Sequence, residues 1–137
     1  MKDSLTPGLS STRQWVVDRE RTIDFMGEDA RVYATPMLVR DLEVACRELA
    51  LAHLDPGEDT VGTRVEVDHL AATLLGMTVR ITVTLSEVDG RALTFSIEGH
   101  DGVDTIARGV HQRFVVDVAK TAARLAAKAA AAAGGAR

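Results

Sequence analysis

Within TPMLVRDLEVACRELALAH, residues 35 to 53, a carboxylate stands where an apolar side chain is expected. The stretch has the period of an amphipathic helix, with Leu38, Leu42, Ala45, Cys46 and Leu49 on one face. Glu43 falls at the edge of that arc, beside Val39, Cys46 and Ala50, whereas Arg40, Asp41, Arg47 and Glu48 fall on the opposite side or its flanks. A half-buried carboxylate costs free energy unless something pairs with it or uses it. An imidazole is the natural user. His69 closes a run in which Val61, Val65, Val67 and His69 point one way and Gly62, Arg64, Glu66 and Asp68 the other. If that sheet face covers the helix, Glu43 and His69, or their symmetry mates, share one crevice. Each then favours the charged form of the other while burial opposes it, the tuning that general acid–base work requires. On spacing alone, a lone histidine on an apolar face is more often a hydrogen-bonded core residue, so both readings stay open here.

Thr35 offers a hydroxyl at the start of the same helix, as an N-cap followed by Pro36 at the first helical position. Eight residues of helix cover about 12 Å, so Thr35 and Glu43 of one chain should not touch. They would act on different atoms of one substrate or meet across a dimer interface. The helix start also supplies unpaired N–H groups suited to a carbonyl that becomes an oxyanion in acyl transfer. Other candidates are poorer. His53, His100 and His111 lack metal-ligand spacing, Cys46 has no CxxC partner, and no metal site is expected. There is no Gly-rich phosphate loop and no GxSxG elbow, and Asp101 and Gly102 read as turn residues.

The elements that must position these groups follow from a change of period. Residues up to 34 are weakly patterned, with RQWVVD as a candidate edge strand. The helix is expected from Thr35 to about His53, ending before the turn signal DPGED. From Thr60 onward the period is two. Met77, Val79, Ile81, Val83 and Leu85 alternate with polar residues, Asp89-Gly90 marks a hairpin, and Leu93, Phe95 and Ile97 line the next strand. In the final strand Ile106, Val110, Phe114, Val116 and Val118 are expected to form the apolar side. One long helix followed by four alternating strands is an α+β pattern, an antiparallel sheet packed on one helix, compatible with a hotdog arrangement. Val44 and Leu51, on the helix side away from the main arc, are candidates for contact with a second subunit.

At 137 residues the chain is expected to form a single domain over 1–137, with residues 1–10 and about 120–137 as peripheral tails. The tail KTAARLAAKAAAAAGGAR reads as a surface helix fraying at Gly134 and Gly135. A net charge of −4 and 4% aromatic residues give no reason to expect nucleic acid. No run approaches the ~20 apolar residues of a membrane span, and the start has no secretory h-region. The single cysteine excludes an intramolecular disulfide and reads as a small core residue in a reducing compartment. No membrane partner is expected, and the expected location is cytoplasmic.

From about Ala34 to Val118 the sequence resembles the fluoroacetyl-CoA thioesterase-type branch of the hotdog superfamily. ATPMLVRDLEVAC resembles its Thr-to-Glu helix with the same eight-residue step, LDPGEDTVGT its helix-exit turn and Gly-Thr strand start, VDHLAAT its His-x-Ala-Ala-Thr segment, and HDGVDTIARGVHQR its hairpin and final strand. The resemblance implies a hotdog fold, an antiparallel sheet wrapped around one long central helix, and hydrolysis of an acyl-CoA thioester. It implies Thr35, Glu43 and His69 as the catalytic set and Gly62 and Arg113 as substrate contacts. It further implies a homodimer with active sites at the subunit interface and no cofactor beyond the CoA carried by the substrate. Where that branch has phenylalanines before the helix, this chain has Met26 and Asp29, with Phe25 and Tyr33 as candidate substitutes, so an acyl group other than fluoroacetyl is expected. Arg64, Arg80, Arg108 and Lys120 are candidate contacts for CoA phosphates, although solvated surface charge is the commoner role of such residues. The alternatives are a dimeric module that binds acyl-CoA without turnover, and a hotdog enoyl-CoA hydratase. The hydratase needs Asp and His together, whereas Asp68 and His69 fall on opposite strand faces.

Overall fold

Helix α1, Thr35–Leu51, lies across the inner face of a five-stranded antiparallel sheet, as seen in a computed structural model that describes residues 1–135. The strands are β1 (Ser10–Val16), β4 (Glu58–His69), β5 (Thr78–Asp89), β6 (Ala92–His100) and β7 (Thr105–Asp117), in the spatial order β1-β5-β6-β7-β4. A two-stranded ribbon, β2 (Thr22–Ile23) with β3 (Val32–Tyr33), precedes α1, and α2 (Val118–Gly135) follows the sheet. This is the α+β hotdog arrangement. Leu38, Leu42, Ala45, Cys46 and Ala50 of α1 bury their side chains against Val79, Ile81, Val83 and Leu85 of β5 and Leu93, Phe95 and Ile97 of β6. Each fully buried Leu, Ile or Phe contributes about 1.5–3 kcal/mol, so this interface fixes the helix on the sheet.

RQWVVD lies mostly in β1, an edge strand paired with β5. Leu5 is buried, and the N-terminal ammonium pairs with Asp55 and Glu58. Among α2's described side chains none is buried, and α2 runs to Gly135, the last described residue.

Two strands face the opposite way from the expected one, in part or whole. β7 turns His111, Arg113 and Val115 inward and leaves Phe114 43% exposed. Its register is the cause: Leu93 and Phe95 on the inner face of β6 lie opposite Arg113 and His111, and paired residues share a face. Period two defines the two sides of a strand without choosing which one is covered. In β4 a bulge between Gly62 and Arg64 inserts an extra residue. Thr60 before it and Val67 and His69 after it face inward, whereas Val61 swings to the outer face opposite Phe114.

β4 and β7 also touch unusually closely. A Cβ on Gly109 would lie 2.2 Å from the Glu66 carbonyl oxygen and 2.7 Å from Val67 Cα, so only glycine fits there.

Candidate active site

Tyr33, Thr35 and Pro36 on one side and His69 to Ala72 on the other border an open cleft of about 550 Å³, with Ile23 and Phe25 at its margin. Ala34, not Thr35, is the residue that caps α1: its carbonyl accepts the N–H groups of Met37 and Leu38. The Thr35 hydroxyl is therefore released from capping and meets His69 Nδ1 at 2.8 Å. Pro36 has no N–H, which leaves the Thr35 N–H as the first-turn donor without a partner among the described residues. Among the described residues, His69 Nε2 is the buried side-chain nitrogen or oxygen that lacks a partner. Burial holds this imidazole below its ordinary pKa, so it is neutral at pH 7 and able to accept a proton.

Glu43 stands elsewhere within the chain. It is half-buried beside Gly62, His111 and Arg113, and it forms no hydrogen bond or ion pair among the described residues. Gly62 and Arg113 are cross-strand partners. Arg113 is 5% exposed, and its guanidinium is gripped on three sides: Nε donates to Thr60 Oγ1 at 2.7 Å, Nη2 to the Thr60 carbonyl at 2.8 Å, and Nη1 to His111 Nε2 at 3.1 Å. Because Nε2 accepts, the His111 proton sits on Nδ1 and is donated to the Arg64 carbonyl at 2.8 Å, within the bulged segment of β4. Burial first, and the Arg113 charge besides, hold His111 below its ordinary pKa, against the opposing pull of that carbonyl. Glu43 thus looks onto a buried guanidinium across a gap that Gly62 keeps open.

The five residues singled out from sequence therefore fall into two groups in one chain: Thr35 with His69, and Glu43 with Gly62 and Arg113. Along β4 the seven residues from Gly62 to His69 span about 23 Å.

Two buried aspartates and a buried histidine have roles that the sequence does not announce. His111 lacks metal-ligand spacing in the sequence, yet it holds Arg113 in place. Asp41, expected on the polar side of α1, is fully buried; it receives Arg21 through Nε and Nη2 at 3.0 and 3.2 Å and the Tyr33 hydroxyl at 2.5 Å. Asp101, read as a turn residue, does receive the Val103 and Asp104 N–H groups, but it is also buried and accepts from the Thr73 hydroxyl, anchoring the segment after His69. The position of Asp41 next to the apolar residue Leu42 was the one available signal. Cys46 is a core residue as expected: burial pushes its thiol up to about 12, which rules it out as a nucleophile at neutral pH. No three His, Cys, Asp or Glu side chains cluster as a metal site among the described residues. No helix among them is long and apolar enough to cross a membrane.

Residues 17–119 match the family described as FlK, fluoroacetyl-CoA-specific thioesterase. The fluoroacetyl-CoA thioesterase of Streptantibioticus cattleyicolor is 36% identical over 132 residues, covering 91% of this chain and 95% of that protein. A solved structure of an FlK variant in complex with fluoroacetate and CoA superposes with a TM-score of 0.79 at 35% identity, covering 85% of this chain and 99% of the other. A Thermus thermophilus protein of the thioesterase superfamily superposes with a TM-score of 0.84 at 30% identity, covering 94% of this chain and 98% of its own.

Proposed function

The chain belongs to the fluoroacetyl-CoA-specific thioesterase family of hotdog thioester hydrolases, and from that premise we propose that it hydrolyses a small or medium acyl-CoA with Thr35, Glu43 and His69 as its working groups. The observation that carries the assignment of groups is the Thr35–His69 pair at the mouth of the cleft, with Nε2 buried and unpartnered. A buried polar atom without a partner costs on the order of 1–3 kcal/mol, a cost that a bound substrate or water would relieve.

Glu43 joins this pair through a second copy of the chain. β4 is a 12-residue edge strand, and Val61 and Val65 are exposed along it at 44% and 36%. A long edge of this kind invites pairing with another strand. Antiparallel pairing of β4 with its own twofold copy, centred on Glu66 and with Thr63 taken up by the bulge, sets His69 of one protomer opposite the partner's Gly62 and hence near the partner's Glu43. Two sites per dimer result, each with one imidazole–hydroxyl pair and one carboxylate.

In such a site the thioester carbonyl lies near the Thr35 N–H and hydroxyl, which receive the negative charge that develops on its oxygen. The Glu43 carboxylate acts as base towards water, or as transient nucleophile. The new C–O bond forms, the C–S bond breaks, and a proton passes by way of His69 to the departing CoA thiolate. Arg113 and the open space at Gly62 contact the substrate. CoA enters as part of the substrate, and no cofactor is required.

The deciding experiment is thiol release from acetyl-, fluoroacetyl-, butyryl-, phenylacetyl- and longer acyl-CoAs by the protein and by its Glu43→Gln and His69→Ala variants. Turnover of at least one thioester, lowered about 100-fold or more in both folded variants, is expected. CoA binding with no thiol release would identify a non-catalytic binding module instead, and normal hydrolysis by both variants would remove the assignment of groups.

A further inference from the structure

Asp41 is the most deeply buried acid of α1, and nothing in the reaction uses it directly. Its carboxylate is fully enclosed yet well satisfied: Arg21 binds both oxygens and the Tyr33 hydroxyl adds a third bond. Arg21 is held in turn by Asp18, and its carbonyl accepts the Ala34 N–H at 2.8 Å, one residue before Thr35. Tyr33 is pinned from both ends, since its own N–H donates to the Thr73 carbonyl at 2.8 Å. Between those anchors the Tyr33 ring stands edge-on to the His69 imidazole, with centroids 6.0 Å apart and planes at 81°.

A buried ion pair is seldom the cheapest way to stabilise a core, because apolar residues of similar volume often do as well or better. What it does supply is a fixed position. We propose that Asp41, together with Arg21, is a positioning residue for the thioesterase reaction: through the Tyr33 hydroxyl it locks the ring that walls His69, keeping Nδ1 on Thr35 and Nε2 shielded from water. The inference rests on His69 being a working group. Tyr33 of β3 is the titratable side chain packed on His69, with Asp41 and Arg21 behind its hydroxyl. The other cleft-lining residues beside it, Thr35, Pro36, Leu70 and Ala71, carry no charge.

Tyr33→Phe keeps the ring and removes its tether, Asp41→Asn weakens the tether, and Tyr33→Leu removes the wall. The full-length variants would be compared with His69→Ala by pH-dependent kinetics and by NMR titration of the His69 ring. In Tyr33→Leu, kcat is expected to fall about tenfold with KM nearly unchanged, and the His69 titration to move up towards 6.5 as water reaches the ring. Tyr33→Phe and Asp41→Asn should give smaller changes in the same direction. A folded Tyr33→Phe variant whose kcat–pH profile and His69 titration coincide with the parent's would overturn the proposal whatever Tyr33→Leu does, and it decides the matter even if Asp41→Asn does not fold. If His69→Ala keeps full activity, the underlying assignment fails instead, and the NMR titration still reports whether Tyr33 holds the ring.

Discussion

Glu43 and Gly62 face each other so closely that a single methyl group would touch the carboxylate. A Cβ built on Gly62 lies 3.4 Å from Glu43 Oε1, 3.4 Å from Arg113 Nη1 and 3.3 Å from His111 Cε1. The gap between acid and guanidinium is thus a space left by the absence of a side chain. Gly62→Ala fills it. The backbone there is not in the left-handed region and the methyl meets nothing closer than His111 Cε1 at 3.3 Å, so the fold tolerates the change while the space beside Glu43 is filled. The expected outcome is a fall of about tenfold or more in kcat/KM, with Tm within a few degrees of the parent. Steady-state thiol release and a thermal melt check it, and unchanged kinetics would mean that no reacting atom passes this glycine.

The helix, its apolar face and the alternation of β5 and β6 were legible because each has one dominant period and one covered side. The site was harder to read. Thr35 was recognised as a hydroxyl at the head of α1, but its release from capping depends on the Ala34 carbonyl, which no propensity distinguishes. The inward turn of His111 and Arg113 depends on register with β6, and the switch at Val61 depends on one bulged residue. Asp41 reads as solvent-facing in the sequence because a charged side chain in a helix belongs to water unless buried partners meet it. Those partners, Arg21 and Tyr33, lie 20 and 8 residues away in the chain. Pairings that pass through tertiary contact leave no local period to read.

Two histidines, His111 buried and His69 half-buried, set a pH dependence of stability. His69 and His111 both titrate below 6.5 in the folded protein, chiefly through burial. The unfolded chain takes up these protons first, so the stability they contribute is complete above pH 6.5 and is lost as pH falls through that value towards the folded ones. Asp59, held down by Arg47, and Asp101, held down by three hydrogen bonds against its own burial, act in a lower window: their contribution is present above 3.8 and lost below it. Thermal melts should show a decline in Tm between pH 6.5 and 5, before the carboxylates engage. His111→Gln should flatten that decline. A Tm that stays level to pH 5 would contradict the desolvation of these two rings.

Gly109 couples the fold to the site. Its missing side chain lets β7 approach β4 at Glu66 and Val67, two residues before His69. Gly109→Ala would drive a methyl into backbone atoms, which cannot move away as a flexible side chain would. Overpacking of this kind costs about 1–3 kcal/mol, occasionally more. The variant should melt several degrees lower and lose activity beyond what its folded fraction explains, because β4 carries His69 with it. Chemical denaturation alongside kinetics separates the two effects, and a variant as stable as the parent would show that the strands do not meet this closely.

Arg113 separates geometry from charge. Its guanidinium spends three donors on Thr60 and His111 and is almost wholly out of water, so its planar fork matters as much as its sign. A lysine keeps the charge but cannot span Thr60 Oγ1, the Thr60 carbonyl and His111 Nε2 together. At least one of those acceptors is left unsatisfied in the interior, at a cost of about 1–3 kcal/mol. Arg113→Lys should therefore lower Tm. If the guanidinium also contacts substrate, KM for the preferred acyl-CoA should rise about tenfold, while an assay at saturating substrate recovers much of the rate. Arg113→Met, which removes the charge and keeps much of the bulk, should raise KM at least as much and leave the same acceptors unpaired. Loss of stability in both variants with KM unchanged would assign Arg113 to holding β4 against β7 and remove it from the substrate contacts.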